Sequence, residues 1–135
     1  MASKTERSWY HMLELGSTMT LEAWAAKYTP NLTWNHAWGS APANIISRYV
    51  LGVRPLKPGY TEILICPRIG SLKFARGRVP TPLGPVTVSV RKDWIMVEIP
   101  KGAKAKIAQS DEDPEDPAPI VGPGTHVFLP VFTSK

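Results

Sequence analysis

Apolar and polar positions follow two different rhythms along this chain. Up to about Pro58-Gly59 the apolar residues recur at helical spacing. Beyond it valine and isoleucine alternate with polar residues, and proline or glycine marks a turn every ten residues or so. In the first part Trp9, Met12 and Leu13 stand at i, i+3 and i+4, which predicts a helix over Glu6–Leu15 with Gly16 as its stop. Thr20 is placed to cap a second helix from Leu21 to about Tyr28, which Pro30 ends. Ser40 caps a third, with Pro42 in its first turn, where a missing N–H costs nothing. Ile45, Ile46, Tyr49 and Val50 give that helix a buried stripe, and Gly52 closes it.

The second part predicts strands at Thr61–Cys66, Leu72–Val79, Val86–Arg91, Trp94–Ile99, Lys104–Ala108 and His126–Phe132. Val86, Val88 and Val90 alternate with Thr87, Ser89 and Arg91, the pattern of a strand with one buried face. Lys92-Asp93 fits a tight hairpin connection to the strand that follows. The fold class expected is therefore α+β by content: short N-terminal helices over 1–58, then an antiparallel β-sandwich over 59–135. Residues 110–124 hold five acids and four prolines and read as an exposed loop.

Composition narrows the functional classes. At 135 residues, 43% apolar and 20% charged, the chain has the make-up of one globular domain or slightly more. No apolar run reaches the roughly 18 residues of a membrane span, so no membrane partner is expected. The opening Met-Ala-Ser-Lys-Thr-Glu-Arg lacks a secretory core, which leaves the compartment unknown with cytoplasm as the default. Cys66 is the single cysteine, so neither a disulfide nor a thiolate metal site is expected. The three histidines match no metal spacing, and no phosphate-binding glycine loop precedes a helix, so no cofactor is expected. The net charge of +5 rises when the acidic run Asp111–Asp116 is set aside, which raises nucleic acid as a partner. The basic residues are nevertheless scattered singly, without a basic cluster interleaved with aromatics, and a solvated basic surface is the reading adopted.

The densest chemistry lies in Gly16–Gly39. This stretch holds Glu22, the aromatics Trp24, Tyr28, Trp34 and Trp38, the amides Asn31 and Asn35, and His36. Sugars suit such a mixture, because their C–H faces lie on aromatic rings while their hydroxyls meet amides, imidazole and carboxylate. A carboxylate that loses solvation there gains basicity and is fit for general-base work. A plainer reading stands beside it: Glu22 as a first-turn helix residue favoured by the dipole, the tryptophans as core, and His36 as a hydrogen-bonded structural residue.

Three motifs carry a resemblance. Gly16-Ser-Thr-Met-Thr-Leu-Glu-Ala-Trp24, Thr33-Trp-Asn-His-Ala-Trp-Gly-Ser40 and Arg48-Tyr-Val-Leu-Gly-Val-Arg-Pro55 occur here in order. Together with Pro58-Gly-Tyr60 and Ile65-Cys-Pro-Arg68, they resemble the C-terminal end of bacterial α-L-rhamnosidases, the inverting enzymes of glycoside hydrolase family 78. The resemblance implies the end of an (α/α)6 barrel passing into a terminal β-sandwich. It places Glu22 at the catalytic general base and His36 at the histidine that contacts rhamnose hydroxyls. It also puts Trp24, Trp38 and Asn35 in the substrate pocket. Leu21 and Ala25 depart from the aromatic and the aspartate that many relatives carry there.

The same resemblance implies an incomplete machine. An inverting glycosidase needs a second carboxyl group roughly 6.5–9.5 Å from the first, and the family draws its general acid from far upstream. Glu6 and Glu14, the other carboxylates before the seam, match no such motif. A full barrel needs about twelve helices of roughly 11–12 residues, more than the first part supplies. The chain is thus expected to be inactive alone, with a rhamnose-containing carbohydrate as ligand and either a homo-oligomer or a complementary barrel chain as partner. A free-standing carbohydrate-binding module and a structural or interaction protein stand as the alternatives.

Overall fold

The computed structural model describes residues 3–108 and 118–129. The chain divides into two compact units, Met1–Asn44 and Ile45–Lys135, so the division falls at Asn44 rather than at the predicted seam near 58. The reason is local: the last helical turns and a first short strand belong with the sheets, not with the tryptophan-rich segment.

In the first unit, helix α1 covers Trp9–Glu14 and is shorter than predicted, because Ser8 caps it. The Ser8 hydroxyl accepts from the His11 N–H at 3.1 Å and donates to the Thr5 carbonyl at 2.6 Å. Ser8 is buried, so its removal orphans two groups with little water at hand. Ser8→Ala is expected to lower the stability of this unit by about 1 kcal/mol, read from a urea titration followed by tryptophan circular dichroism. Helix α2 covers Ala41–Ile45, and a π-helical turn covers Ile46–Val50. The predicted third helix thus exists, but its stripe is not buried: Ile45, Ile46 and Tyr49 are exposed.

The second predicted helix, Leu21–Tyr28, does not form. Only Ala26–Tyr28 coils, as one 3-10 turn. Thr20 spends its hydroxyl on the His36 carbonyl at 2.5 Å instead of capping a helix, and the backbone beyond it pairs with residues 33–36. Long-range pairing wins over local propensity here, as it often does for short helices.

The second unit is built from two four-stranded sheets. Strands β1 (Val53–Pro55), β2 (Glu62–Ile65), β6 (Lys104–Ile107) and β7 (Ile120–Val121) form one sheet in the order β1-β2-β6-β7. Strands β3 (Phe74–Val79), β4 (Val86–Arg91), β5 (Ile95–Ile99) and β8 (Gly124–Phe128) form the other in the order β3-β4-β5-β8. Val53, Ile63, Ile65 and Ala105 of the first sheet meet Val86, Val88, Ile95 and Val97 of the second in one core. This is the α+β, sandwich-like architecture that the two rhythms predict. The Lys92-Asp93 turn forms as read, with Arg91 and Trp94 closing it at 2.8 Å.

Three details differ. One ladder, β2 with β6, is parallel, and the whole β3–β5 meander supplies the long connection such a pair requires. Strand β1 was hidden by Pro55, which serves here as the last residue of an edge strand. Strand β7 lies inside the predicted acidic loop, where Ile120 and Val121 pair with Lys106 and Ala105. The acidic residues of that loop, Asp111 to Asp116, lie outside the described residues, as does the end of the predicted His126–Phe132 strand.

Candidate functional site

The site segment folds as two stretches lying side by side, residues 20–22 and 33–36. The His36 N–H donates to the Thr20 carbonyl at 2.8 Å, and the Glu22 N–H donates to the Thr33 carbonyl at 3.0 Å. The Glu22 side chain completes a reciprocal pair, its Oε2 accepting from the Thr33 N–H at 3.2 Å. Between them Leu21 is fully buried, and it anchors the stretch by its apolar side chain. Gly39 permits the crossing: a Cβ there would stand 2.8 Å from the Thr20 Cβ and 3.2 Å from the Leu21 carbonyl oxygen.

The five residues singled out by sequence fall into two groups. Glu22 and His36 lie on the two paired stretches, and Asn35 adjoins His36 in an exposed position. The His36 ring meets the Trp38 ring edge to face, with centroids 5.9 Å apart at 77°. Trp38 is 89% exposed, so its ring is open to a ligand rather than part of a core. Trp24 instead turns to Trp9, at 5.1 Å and 81°, and the Trp9 indole N–H donates to the Gly39 carbonyl at 2.8 Å. That pair props up the fold of the segment. Glu22 is itself exposed and bound to Thr33, so it does not occupy the desolvated setting that composition suggested.

A cavity of about 400 Å³ opens in this unit beside α1, lined by Trp9, Met12, Leu13, Met19 and Thr20 among others. Neither Glu22 nor His36 lines it. Among the described residues no group of three or more His, Cys, Asp or Glu side chains is placed to hold a metal ion. Likewise, no described helix is long and apolar enough to cross a membrane.

Glu6, in the same unit, sits in an ion pair. Lys27 Nζ stands 2.5 Å from its Oε1, and the Tyr28 hydroxyl donates to Oε2 at 3.4 Å. The hydrogen bond from the Lys27 ammonium holds the Glu6 carboxyl below its ordinary range and raises Lys27 above its own. A depressed carboxyl contributes stability above its ordinary value of 4.5, and that contribution is lost as pH falls through the lowered value. A raised ammonium contributes below 10.5 and loses the contribution as pH rises through the raised value. Lys27→Met is expected to move the Glu6 titration upward, as seen by carboxyl carbon NMR. Both groups are solvated, so the effect on stability is small.

Residues 52–116 match the family model of the bacterial α-L-rhamnosidase C-terminal domain. In an alignment 106 residues long that covers 69% of this chain, the sequence is 34% identical to an α-L-rhamnosidase of Alteromonas sp. (strain LOR). The chain is α-L-rhamnosidase-like, and its counterpart there is the C-terminal part. It spans 10% of the length of that Alteromonas protein. The rhamnosidase-like fold extends to solved structures as well. The α-L-rhamnosidase of Dictyoglumus thermophilum superposes on 96% of this chain with a TM-score of 0.74 at 23% identity, using 18% of its own length. That of Aspergillus terreus covers 95% of this chain with a TM-score of 0.75 at 21% identity, using 16% of its own length.

Proposed function

We propose that this rhamnosidase-like chain supplies the general-base side of an α-L-rhamnosidase site. Glu22 is the carboxylate that activates water, and His36, Asn35 and Trp38 contact the sugar. What supports this reading most is the pairing of residues 20–22 with 33–36, which brings the segment bearing Glu22 beside the segment bearing His36. Trp24 then serves by holding the segment against α1 rather than by touching sugar.

The proton donor must come from elsewhere. A general acid has to carry its proton at working pH, whereas Lys27 keeps Glu6 ionised. Glu14 sits 3.5 Å from the His11 ring and faces solvent. Alone, the 135 residues are therefore inactive in this reading, and a complementary barrel chain bearing the acid restores the pair of carboxyl groups that inversion requires. Leu13, Met19 and Trp34, all exposed, belong to the surface that such a partner covers. A second copy of the chain is the competing occupant, which light scattering would reveal as a dimer.

The test is hydrolysis of 4-nitrophenyl α-L-rhamnopyranoside. The purified chain is expected to release no nitrophenol. Adding the Alteromonas α-L-rhamnosidase truncated before its counterpart segment is expected to give turnover that neither piece shows alone. Turnover by the isolated chain would overturn the division of labour between two carboxylates on two pieces.

A further inference from the structure

The strand register gathers what the sequence scatters. On β3, Phe74, Arg76 and Arg78 alternate with Ala75, Gly77 and Val79, and the first three are exposed. Gly77 faces inward, since a Cβ there would stand 2.6 Å from Leu51 Cδ1. Phe74, Arg76 and Arg78 therefore share the outer face of their sheet, with the two arginines one strand repeat apart, about 7 Å. The cross-strand neighbours are Arg91, Ser89 and Thr87. Serine and threonine are short, so they leave both guanidinium groups uncovered.

The carboxylate that shares these rows, Glu98, already accepts a hydroxyl. Glu98 stands opposite Thr87 on β5 and accepts its hydroxyl at 3.1 Å, one strand beyond Arg78. Among the described residues neither Arg76 nor Arg78 makes a hydrogen bond or ion pair. Arg91 leans over the Trp94 ring at 5.9 Å, at the end of the patch where Phe74 stands 63% exposed. Lys73 and Lys92 flank that same end and are also exposed. The face thus joins a bare aromatic ring to a pair of unpaired guanidinium groups.

We propose that this outer face binds an acidic sugar unit, a uronate within a polysaccharide. The Phe74 ring takes the apolar face of the sugar, and Arg76 and Arg78 take its carboxylate in the forked geometry that guanidinium groups favour. A single-stranded nucleic acid would ask for several stacking aromatics along a basic groove, and this face offers one uncovered ring. The carbohydrate, rather than an acidic protein, follows from the rhamnosidase-like reading of the chain, on which the proposal rests. The surface differs from the segment of Glu22 and His36 and would hold the polymer rather than cut it.

The experiment is affinity electrophoresis and calorimetry of the full 135-residue chain with polygalacturonate. Binding is expected at low salt and absent with the fully methyl-esterified polymer. Arg76→Gln/Arg78→Gln is expected to weaken it about tenfold or more, and Phe74→Ala severalfold, while thermal unfolding of each variant stays near that of the parent. Glu22→Gln is expected to leave binding unchanged, which separates this site from the hydrolase reading. A chain that supports rhamnoside hydrolysis yet ignores polygalacturonate overturns this proposal alone. Equal retention by polygalacturonate, dextran sulfate and single-stranded RNA, with Phe74→Ala without effect, also overturns it, leaving only a generic basic surface. Unaltered binding by the double arginine variant does the same.

Discussion

Gly52→Ala is expected to cost the sandwich unit about 3–5 kcal/mol, a large share of the roughly 5–15 kcal/mol that folded domains commonly have. Gly52 stands just before β1 with φ at +74°, a conformation that already disfavours any residue with a Cβ. The larger effect is steric. An added Cβ would overlap the main-chain carbonyl group of Cys66 and the nitrogen of Pro67, and main chain has no rotamer to yield. These same residues are joined by a bond from the Cys66 N–H to the Gly52 carbonyl at 3.0 Å, and the next pair is Val53 opposite Ile65. Relief therefore means pulling β1 off β2, and Val53, Ile63 and Ile65 are fully buried members of the core. Gly59→Ala provides the control. Its φ is nearly the same, +71°, but nothing lies within 4 Å of an added Cβ, so about 1 kcal/mol is expected. Urea titrations followed by Trp94 fluorescence compare the two. Equal midpoints would mean that the close approach at Cys66 carries no energetic weight.

Both glycines show how far a linear reading reaches. Gly52 reads correctly as the end of a helical stretch, yet nothing in the neighbouring residues tells that the chain passes against Cys66. The valine alternation of β4 and the Lys92-Asp93 turn are legible because each depends on residues a few positions apart. The segment of Thr20 and Glu22 is not, because its structure is set by hydrogen bonds to residues 33–36. Given Thr20 before an apolar residue, local rules favour a cap, and the pairing overrides them. Glu22 and His36 stood out by residue type and motif, whereas the Trp9–Trp24 contact needed the folded chain to explain Trp24. The arginines of β3 looked isolated in the sequence, since only the register of β3 with β4 shows that their neighbours are too short to cover them. In each case, what escaped is a contact between residues distant in the chain. A one-residue change of register would rewrite every such contact without altering the local pattern.

On the proposed reading of Glu22 as the general base, Glu22→Gln is expected to remove whatever turnover complementation gives, by about 10²–10⁴-fold in kcat. The substitution isolates the chemistry because glutamine keeps the carbonyl oxygen that accepts the Thr33 N–H, so the pairing of the two stretches survives. What it loses is the ability to take a proton from water, a step that matters only in the transition state. KM should then change little while kcat and kcat/KM fall together. His36→Ala should behave differently on the same reading, since losing a group that holds the sugar in ground state and transition state alike raises KM more than it lowers kcat. Thr33→Pro removes the N–H that Glu22 accepts. If Thr33 aims the carboxylate, kcat falls without the base itself being touched, and the loss stays smaller than that of Glu22→Gln. Should Glu22→Gln leave the complemented rate intact, the exposed position of Glu22 would be the reason, and its contact with Thr33 would be its whole role.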